Sequence, residues 1–575
     1  MKLNRRITIL ILFLSCIIPA ILYLVYLFKF GVDIPFLDQW LFAPMLKAFY
    51  SGENWLQYLF EQHNEHRIVV PRLIFLFLAK LTDWNTFGEM VTSFLVCLLN
   101  FGLIWLILKQ TNIKSKLILI PLSWIIFTLG QWQNIIWGWE LAWYLAVFGI
   151  LSAVLYLSKT PFSNWYIIPA IIGAIIATFS LANGLLVWPM GLFLLWFLKS
   201  KPGMKTNLAF IWLVIGIFIC GVYFMDYAKP GHLPPLSAAL IEPLKFLRYI
   251  LANLGAGLGG GDLTQCTVIG VLLVLIFGIA VYLLKRISKE RMYELMPWII
   301  LGLFVIVSST SIAVGRVGRG AGQAISARYV TITSLLIISD IVLCLALLKE
   351  YARKDLIIGL NAVLYVLIIF GLFTTTKMAW GMGRQTYLER MKSVAYLKQF
   401  EYAPDNALAL LFYPDPPYLV RDASRFLKEK KLSIFRKSED FNLSAYREIN
   451  PPKEFPIGII DGMEIISVPT GGPSLPSEHI FHVWGWAIDP TAGKSPKAVF
   501  ILCDNNILGR AYSGNTRHDV AKIFQNDNLI TSGWDFFIPK KLIPSGAHKF
   551  TARILFLDSL NYIDVSKEII IPLHY

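Results

Sequence analysis

Apolar stretches long enough to cross a bilayer, or nearly so, recur near residues 7–28, 87–108, 117–130, 137–157, 165–179, 184–198, 208–225, 266–284, 295–314, 329–348 and 356–373. A membrane helix needs about 20 mostly apolar residues, so the pattern predicts about eleven spans in a polytopic α-helical membrane protein. Residues 165–198 read either as one very long helix or as two short ones around Ser180-Leu181-Ala182-Asn183-Gly184. One helix would put Lys159 and Lys199 on opposite sides of the membrane, which favours two. The first run follows Lys2, Arg5 and Arg6 in the order of a signal peptide. It exceeds a signal core in length and has no small-residue cleavage site before Lys29, so it is expected to remain as a first span.

Basic residues punctuate these runs in clusters: Lys109, Lys114 and Lys116; Lys159; Lys199, Lys201 and Lys205; Lys285, Arg286, Lys289 and Arg291; Lys349, Arg353 and Lys354. With eleven spans every cluster falls on one face, the cytoplasmic one by the positive-inside rule. Loops 29–86, 226–265 and 315–328, and all residues after about 374, are then extracytoplasmic. The expected domains are a transmembrane domain over 1–376, a helical linker over 377–454 and a small all-β sandwich over 455–575. In the linker, helix-like stretches Gln385 to Gln399 and Tyr418 to Lys431 flank the turn-rich segment 413–417. After Pro451-Pro452 the pattern changes to short β-type runs, 480–488, 497–503, 533–538, 548–556 and 566–571.

Composition agrees with the periodicity: 56% of the 575 residues are hydrophobic and mean hydropathy is +0.60, which excludes a soluble chain. The net charge of +15 resides in the topology clusters and does not indicate nucleic acid. Five of the six cysteines lie in or beside apolar runs and only Cys503 is in the polar C-terminal part, so neither a disulfide framework nor a thiolate metal site is read from them.

Three polar constellations interrupt this background. The first outer loop carries Asp33, Asp38-Gln39-Trp40 and the run Glu61-Gln62-His63-Asn64-Glu65-His66-Arg67. Carboxylates there can act as a general base, ligate a cation or be solvated loop charges; Asp33 and Asp38, just past the first span, lie at the depth of a lipid-linked phosphate. The second is the segment 315–329, with Arg316, Arg319, Arg328, Tyr329 and four glycines. Its arginines run against the positive-inside bias, and guanidinium forks with backbone amides suit a phosphate, in a substrate or in a lipid headgroup. The third, Gln131 to Glu140, mixes Gln133, Asn134 and Glu140 with Trp137 and Trp139; this set suits a sugar, whereas an aromatic belt needs only the indoles. The spacing of His63 and His66 matches no zinc motif, so no metal site is assigned, and Gly255 to Asp262 follows no strand and is expected to be a flexible loop.

These residues resemble the GT-C class of integral membrane glycosyltransferases. The likeness is closest to a bacterial branch pairing Asp38-Gln39-Trp40 with Asn64-Glu65-His66-Arg67, Trp137-Gly138-Trp139 and Ser326-Ala327-Arg328-Tyr329. It implies a GT-C-like fold over residues 1–376 and inverting transfer of a sugar from a polyprenyl-phosphate donor. The acceptor would be a cell-envelope glycan, lipid or protein on the outer face of the plasma membrane. A first-loop aspartate would be the base, Asp38 with Asp33 as rival. Gln39, Trp40, Glu65, His66 and Arg67 would support it. Arg316, Arg319, Arg328 and Tyr329 would hold the lipid phosphate, and Gln133, Trp137 and Glu140 would line the sugar pocket. No cofactor is required, with a divalent cation, magnesium or manganese, left open. The alternatives are a transporter or flippase of a lipid-linked sugar and a non-enzymatic envelope protein that binds glycan through its β domain. In that domain Trp484, Trp486 and Trp534 read as core residues before they read as a glycan platform.

Overall fold

The computed structural model describes residues 5–113, 115–197, 202–231, 234–235, 237–350, 354–412, 417–436, 441–450, 456–469 and 477–571. The turn expected at 413–416, Pro451-Pro452, and Lys114, Lys199, Lys201 and Arg353 lie outside these. The described residues divide into two compact units. The first comprises Met1–Gly31, Asn54–Phe77 and Phe87–Gly383, and the second Val32–Glu53, Leu78–Thr86 and Arg384–Tyr575. The expected first outer loop is thus shared between them.

Eight helices in the described residues are long and apolar enough to cross a membrane: Leu12–Phe30, Thr86–Gln110, Gly138–Leu157, Met204–Phe224, Leu263–Ile287, Met296–Arg319, Ala327–Leu348 and Asp355–Lys398. The other three of the eleven apolar runs are shorter as helices. Run 117–130 contains only an eight-residue α-helix, Leu119–Ile126, between 3-10 turns at Lys116–Ile118 and Leu129–Gln131. Runs 165–179 and 184–198 form the helices Asn164–Thr178 and Ala182–Trp196, each about 22 Å long against a hydrocarbon layer of about 30 Å. Run length does not fix helix length, because apolarity persists through breaks in the backbone. The break is enforced at Gly184, where a side chain would collide with the Ala177 carbonyl, and Trp188 Nε1 donates to Thr178 Oγ1 across it at 3.0 Å.

Small residues set the closest helix approach. A Cβ on Gly149 would lie 2.3 Å from the Gly173 carbonyl oxygen, and one on Gly173 would lie 2.7 Å from that of Gly149. Helices 138–157 and 164–178 therefore touch backbone to backbone, as membrane helices do where no hydrophobic drive separates them from lipid. The segment expected as a flexible loop, 255–262, is instead a packed corner. Gly255 abuts the Cys266 backbone, so a bulkier residue there would displace the Leu263–Ile287 helix.

In the second unit the expected helix Tyr418 to Lys431 is observed as Pro417–Glu429, and the expected helix Gln385 to Gln399 is the last part of the helix Lys354–Lys398, which ends one residue earlier. The strands are β1 Arg447–Glu448, β2 Gly458–Pro469, β3 Ser477–Ala487, β4 Ala498–Cys503, β5 Asn506–Asn515, β6 Gly533–Pro539, β7 Gly546–Leu555 and β8 Asn561–Ile571. They form one eight-stranded sheet in the order β1-β8-β7-β4-β5-β6-β3-β2, where a sandwich of two sheets was expected. Register shifts at Ile460/Gly462, Ile501/Leu502 and Ser513/Asn515 are the bulges that let a single sheet curl. The curl brings Lys567 of β8 to the carbonyls of Ile460 and Asp461 on β2, at 3.2 and 2.8 Å. Trp486 and Trp534 lie in the enclosed core with Phe481, Ile501, Phe550 and Ile554, while Trp484 is half-buried.

The glycine contact is testable. Gly149→Val should destabilise the folded protein in detergent by on the order of 1–3 kcal/mol, the usual cost of overpacking. Gly221→Val, where no atom lies within 4 Å of the added carbon, should leave the melting temperature unchanged.

Candidate functional site

In the first unit the segment Phe60 to Arg67 is held by two buried arginines. Arg67 donates to the carbonyls of Phe60 and Tyr223, both at 2.5 Å, and to that of Met225. Arg72 donates to the carbonyls of Leu59 at 3.3 Å and Glu61 at 2.5 Å. Between them His63 and His66 close a tight turn with reciprocal backbone hydrogen bonds of 2.8 Å, and Asn64 takes the left-handed conformation (φ 51°) that asparagine tolerates. The Tyr223 hydroxyl donates to the Glu65 carbonyl at 2.9 Å. The outcome is a rigid turn that presents Glu65 and His66 together. Arg67 also borders a cavity of about 600 Å³, lined by Tyr58, Glu61, Val222 and Asp226.

Glu65 Oε1 forms an ion pair with the Arg316 guanidinium, and His66 Nε2 lies 3.7 Å from the same oxygen. His66 Nδ1 accepts from the Ala182 backbone N–H at 3.1 Å, which leaves the ring proton on Nε2, facing Glu65. Glu65 Oε2 is buried and has no hydrogen-bond partner among the described residues. Burial opposes ionisation of Glu65, but His66 and Arg316 outweigh it and bring the carboxyl down to about 2. His66 is brought down to about 4, first by burial; Glu65 resists this, and the charges of His63, Arg316 and Arg328 reinforce it. The imidazole is therefore neutral near pH 7, and the charged partner that remains for Glu65 is Arg316.

Arg328 lies in the first turn of the Ala327–Leu348 helix. It donates from Nε to Ser326 Oγ at 3.2 Å, leaving the terminal nitrogens of its fork without a hydrogen-bond partner among the described residues. Its carbonyl accepts from Asn134 Nδ2 at 3.0 Å, Asn134 also donates to Thr331 Oγ1 at 2.7 Å, and Thr331 donates to Gln131 Oε1 at 2.8 Å. This chain of amides fastens the Gln131–Glu140 turn to the arginine segment. The same turn meets the first-loop segment through Trp139, whose ring lies edge-on to His63 at 5.3 Å and stacks on Phe75 at 5.5 Å.

The Glu61–Arg67 run of the first loop, the arginine segment and the Gln131–Glu140 turn, distant in sequence, thus adjoin one another in the first unit. Trp137 and Glu140 are buried in the turn, Gln133 is half-buried, Tyr329 is buried against Trp143 at 5.5 Å, and Arg319 is exposed. Glu89, which the sequence reading missed, is also buried here: a side chain on Gly138 would strike its carboxylate. The signal was available, since Glu89 is an acid at the mouth of an apolar run, the property that singled out Glu140. Asn134 and Asn253 anchor the arginine segment, Asn253 through the Ala324 carbonyl at 2.9 Å.

In the second unit Asp33 accepts from the backbone N–H and hydroxyl of Thr86 through Oδ1, at 2.8 and 3.1 Å, and pairs with Arg436 through Oδ2. Both of its oxygens are committed. Asp38 lies half-buried in the 3-10 turn Leu37–Phe42. Gln39 fixes that turn by accepting from the Phe36 N–H at 3.2 Å, and the Leu37 N–H donates to the Leu411 carbonyl at 2.6 Å. Trp40 is buried, and its Nε1 has no partner among the described residues.

No protein-family model matches this chain, and no curated protein matches it. Among solved structures it is similar to the archaeal oligosaccharyltransferase AglB from Archaeoglobus fulgidus in complex with an inhibitory peptide and a dolichol-phosphate. The TM-score is 0.37 and the identity 12%, over 71% of this chain and 60% of that one.

Two acid transitions should be separable. Glu65, depressed from 4.5 to about 2, contributes stability that is complete above about 4.5 and lost as pH falls through about 2. Thermal stability of the wild type should exceed that of Glu65→Gln by on the order of 2 kcal/mol near neutral pH, and the gap should close only below about pH 4.5. His66, depressed from 6.5 to about 4, acts in the same direction over a higher window: the folded state loses stability as pH falls from 6.5 towards 4. His66→Gln should remove that loss, which a pH series of melting curves would show.

Proposed function

We propose that this protein is a membrane glycosyltransferase that moves a sugar from a polyprenyl-phosphate donor to a cell-envelope glycan, lipid or protein on the outer face of the membrane. The observation that carries this reading is the junction of Glu65 and His66 with Arg316 and Arg328, beside a turn rich in amides and indoles. A half-buried guanidinium fork with unspent nitrogens is a receptor for a phosphate, and a buried carboxylate oxygen without a donor is a receptor for a sugar hydroxyl. The pairing of both demands in one place is what a phosphate-linked sugar supplies.

In the proposed reaction the acceptor hydroxyl attacks the anomeric carbon and gives its proton to a general base, the role that the GT-C resemblance implies for Asp38. The bond from that carbon to the phosphate oxygen breaks, and polyprenyl phosphate leaves with the electron pair. Arg328 holds the phosphate with Arg319, and Arg316 is kept in place by Glu65. Gln133, Trp137 and Glu140 border the sugar, and Tyr329 sets the arginine segment. Asp38 is taken as the base on the resemblance, with Asp33, which holds Thr86 and Arg436, as its rival. Arg67 is a scaffold residue, since its fork is filled by backbone carbonyls. The Glu65 cluster presents one carboxylate and two guanidinium groups, a donor set that suits an anion and does not fit magnesium or manganese, so no step passes through a metal ion.

The test uses the purified chain with a panel of synthetic polyprenyl-phosphate sugars and envelope acceptors. Asp38→Asn should lower kcat by about 10²–10⁴-fold at unchanged melting temperature, the usual range for loss of a general base. Asp33→Asn should lower the melting temperature and spare the turnover of the protein that remains folded. Arg328→Ala should raise KM for the donor at least tenfold with less effect on the acceptor. Full transfer by Asp38→Asn, or no transfer from any donor in the panel by the wild type, would overturn the reading.

A further inference from the structure

Away from this chemistry, the edge of the curled sheet carries a cluster of three different ligand types. Strand β4 ends at Cys503, and a two-residue turn of Asp504 and Asn505, both left-handed (φ 48° and 68°), leads directly into β5. Such a turn reverses the chain within two residues and stands its first side chain beside the neighbouring strand. That strand is β7, where Phe550 pairs with Cys503 and His548 lies two positions earlier on the same face. The Sγ of Cys503, a carboxylate oxygen of Asp504 and a ring nitrogen of His548 all fall within 4.8 Å of one another.

We propose that Cys503, Asp504 and His548 form a zinc site that staples the β4–β5 turn to β7. A tetrahedral zinc ion has bonds of about 2.0–2.3 Å, which separates its ligand atoms by about 3.3–3.8 Å, so only small side-chain rotations gather these three around one ion. Thiolate, imidazole and carboxylate together select zinc over magnesium or calcium, which take oxygen ligands.

A second observation comes from the outer partners. His548 Nε2 lies 3.0 Å from the Pro544 carbonyl, so the N–H there is donated to backbone and Nδ1 is the nitrogen turned to Asp504, at 2.6 Å. This is how a metal-ligating histidine is usually oriented, by a carbonyl on its far side. The other Asp504 oxygen accepts from the Lys549 backbone N–H at 2.9 Å, which fixes the carboxylate as well. Binding replaces the Cys503 thiol proton with a bond from sulfur to the ion, and that proton goes to solvent. Cys503 is buried in the core edge, whereas half of the Asp504 side chain is exposed. The fourth position therefore opens outward, towards water.

The experiment titrates the full chain in detergent, stripped with chelator, with zinc alone and with cobalt alone. One ion per chain should bind, cobalt should produce a thiolate charge-transfer absorption, and zinc should raise the melting temperature. Cys503→Ser should abolish the thiolate band. Asp504→Asn, a change at an exposed turn that leaves the fold intact, should weaken zinc binding about 10–100-fold, as should His548→Gln. A cobalt spectrum without a thiolate band, or zinc affinity unchanged in Asp504→Asn, overturns the site even if Cys503→Ser proves too unstable to measure.

Discussion

The candidate site rests on a buried arginine that forms no ion pair among the described residues. Arg67 directs its fork at the carbonyls of Phe60, Tyr223 and Met225, and so ties a first-loop segment to the end of the Met204–Phe224 helix. A buried guanidinium left unsatisfied would be very costly, so the three carbonyls must stay where they are. With the backbone fixed on either side, the His63–His66 turn has one conformation, and Glu65 and His66 arrive at Arg316 already aimed. The Glu65–Arg316 pair need not provide much net stability to matter. Its value is positional, because removing either partner would leave an uncompensated charge away from water.

Much of the membrane part was legible because hydropathy is a local property. Long apolar runs such as 266–284 and 329–348 became long helices, and the arginines at 316 and 328 drew notice by opposing the charge rule. What was not legible came from breaks and from contacts between distant residues. Run 117–130 is as apolar as its neighbours, yet its backbone turns twice. Gly255 to Asp262 reads as a flexible loop, but its glycines are there so that two helices can meet. In the β region β2 and β5 were missed because Asp461 and Glu464 on β2 and Arg510 on β5 interrupt their apolar positions. Asp33 looked like a free loop acid in sequence, and only the distant Thr86 and Arg436 show that it is built into the fold.

Unit by unit, the polar groups follow one economy. In the second unit Asp33 is consumed in architecture, and the turn carrying Asp38 is set by Gln39 and the Leu411 carbonyl, so the preferred base sits on a braced element. In the first unit Arg67 and Arg72 are consumed likewise, while the fork of Arg328 and one oxygen of Glu65 are not. The chemistry assigned to this protein is built on that distinction between spent and unspent groups, which composition cannot convey.

The two short helices, Asn164–Thr178 and Ala182–Trp196, carry a consequence for the surrounding lipid. Their junction is polar: the Phe179 carbonyl accepts from the Val70 N–H at 3.1 Å, Ala182 donates to His66, and Asn183 donates to Ser308 Oγ at 2.7 Å. A pair about 8 Å too short for the hydrocarbon layer obliges the bilayer to thin beside it or water to enter above it. Either response brings the polar boundary down to the junction. A lipid-borne headgroup can then reach His66 by lateral diffusion at its own depth, with its chains still dissolved in the membrane.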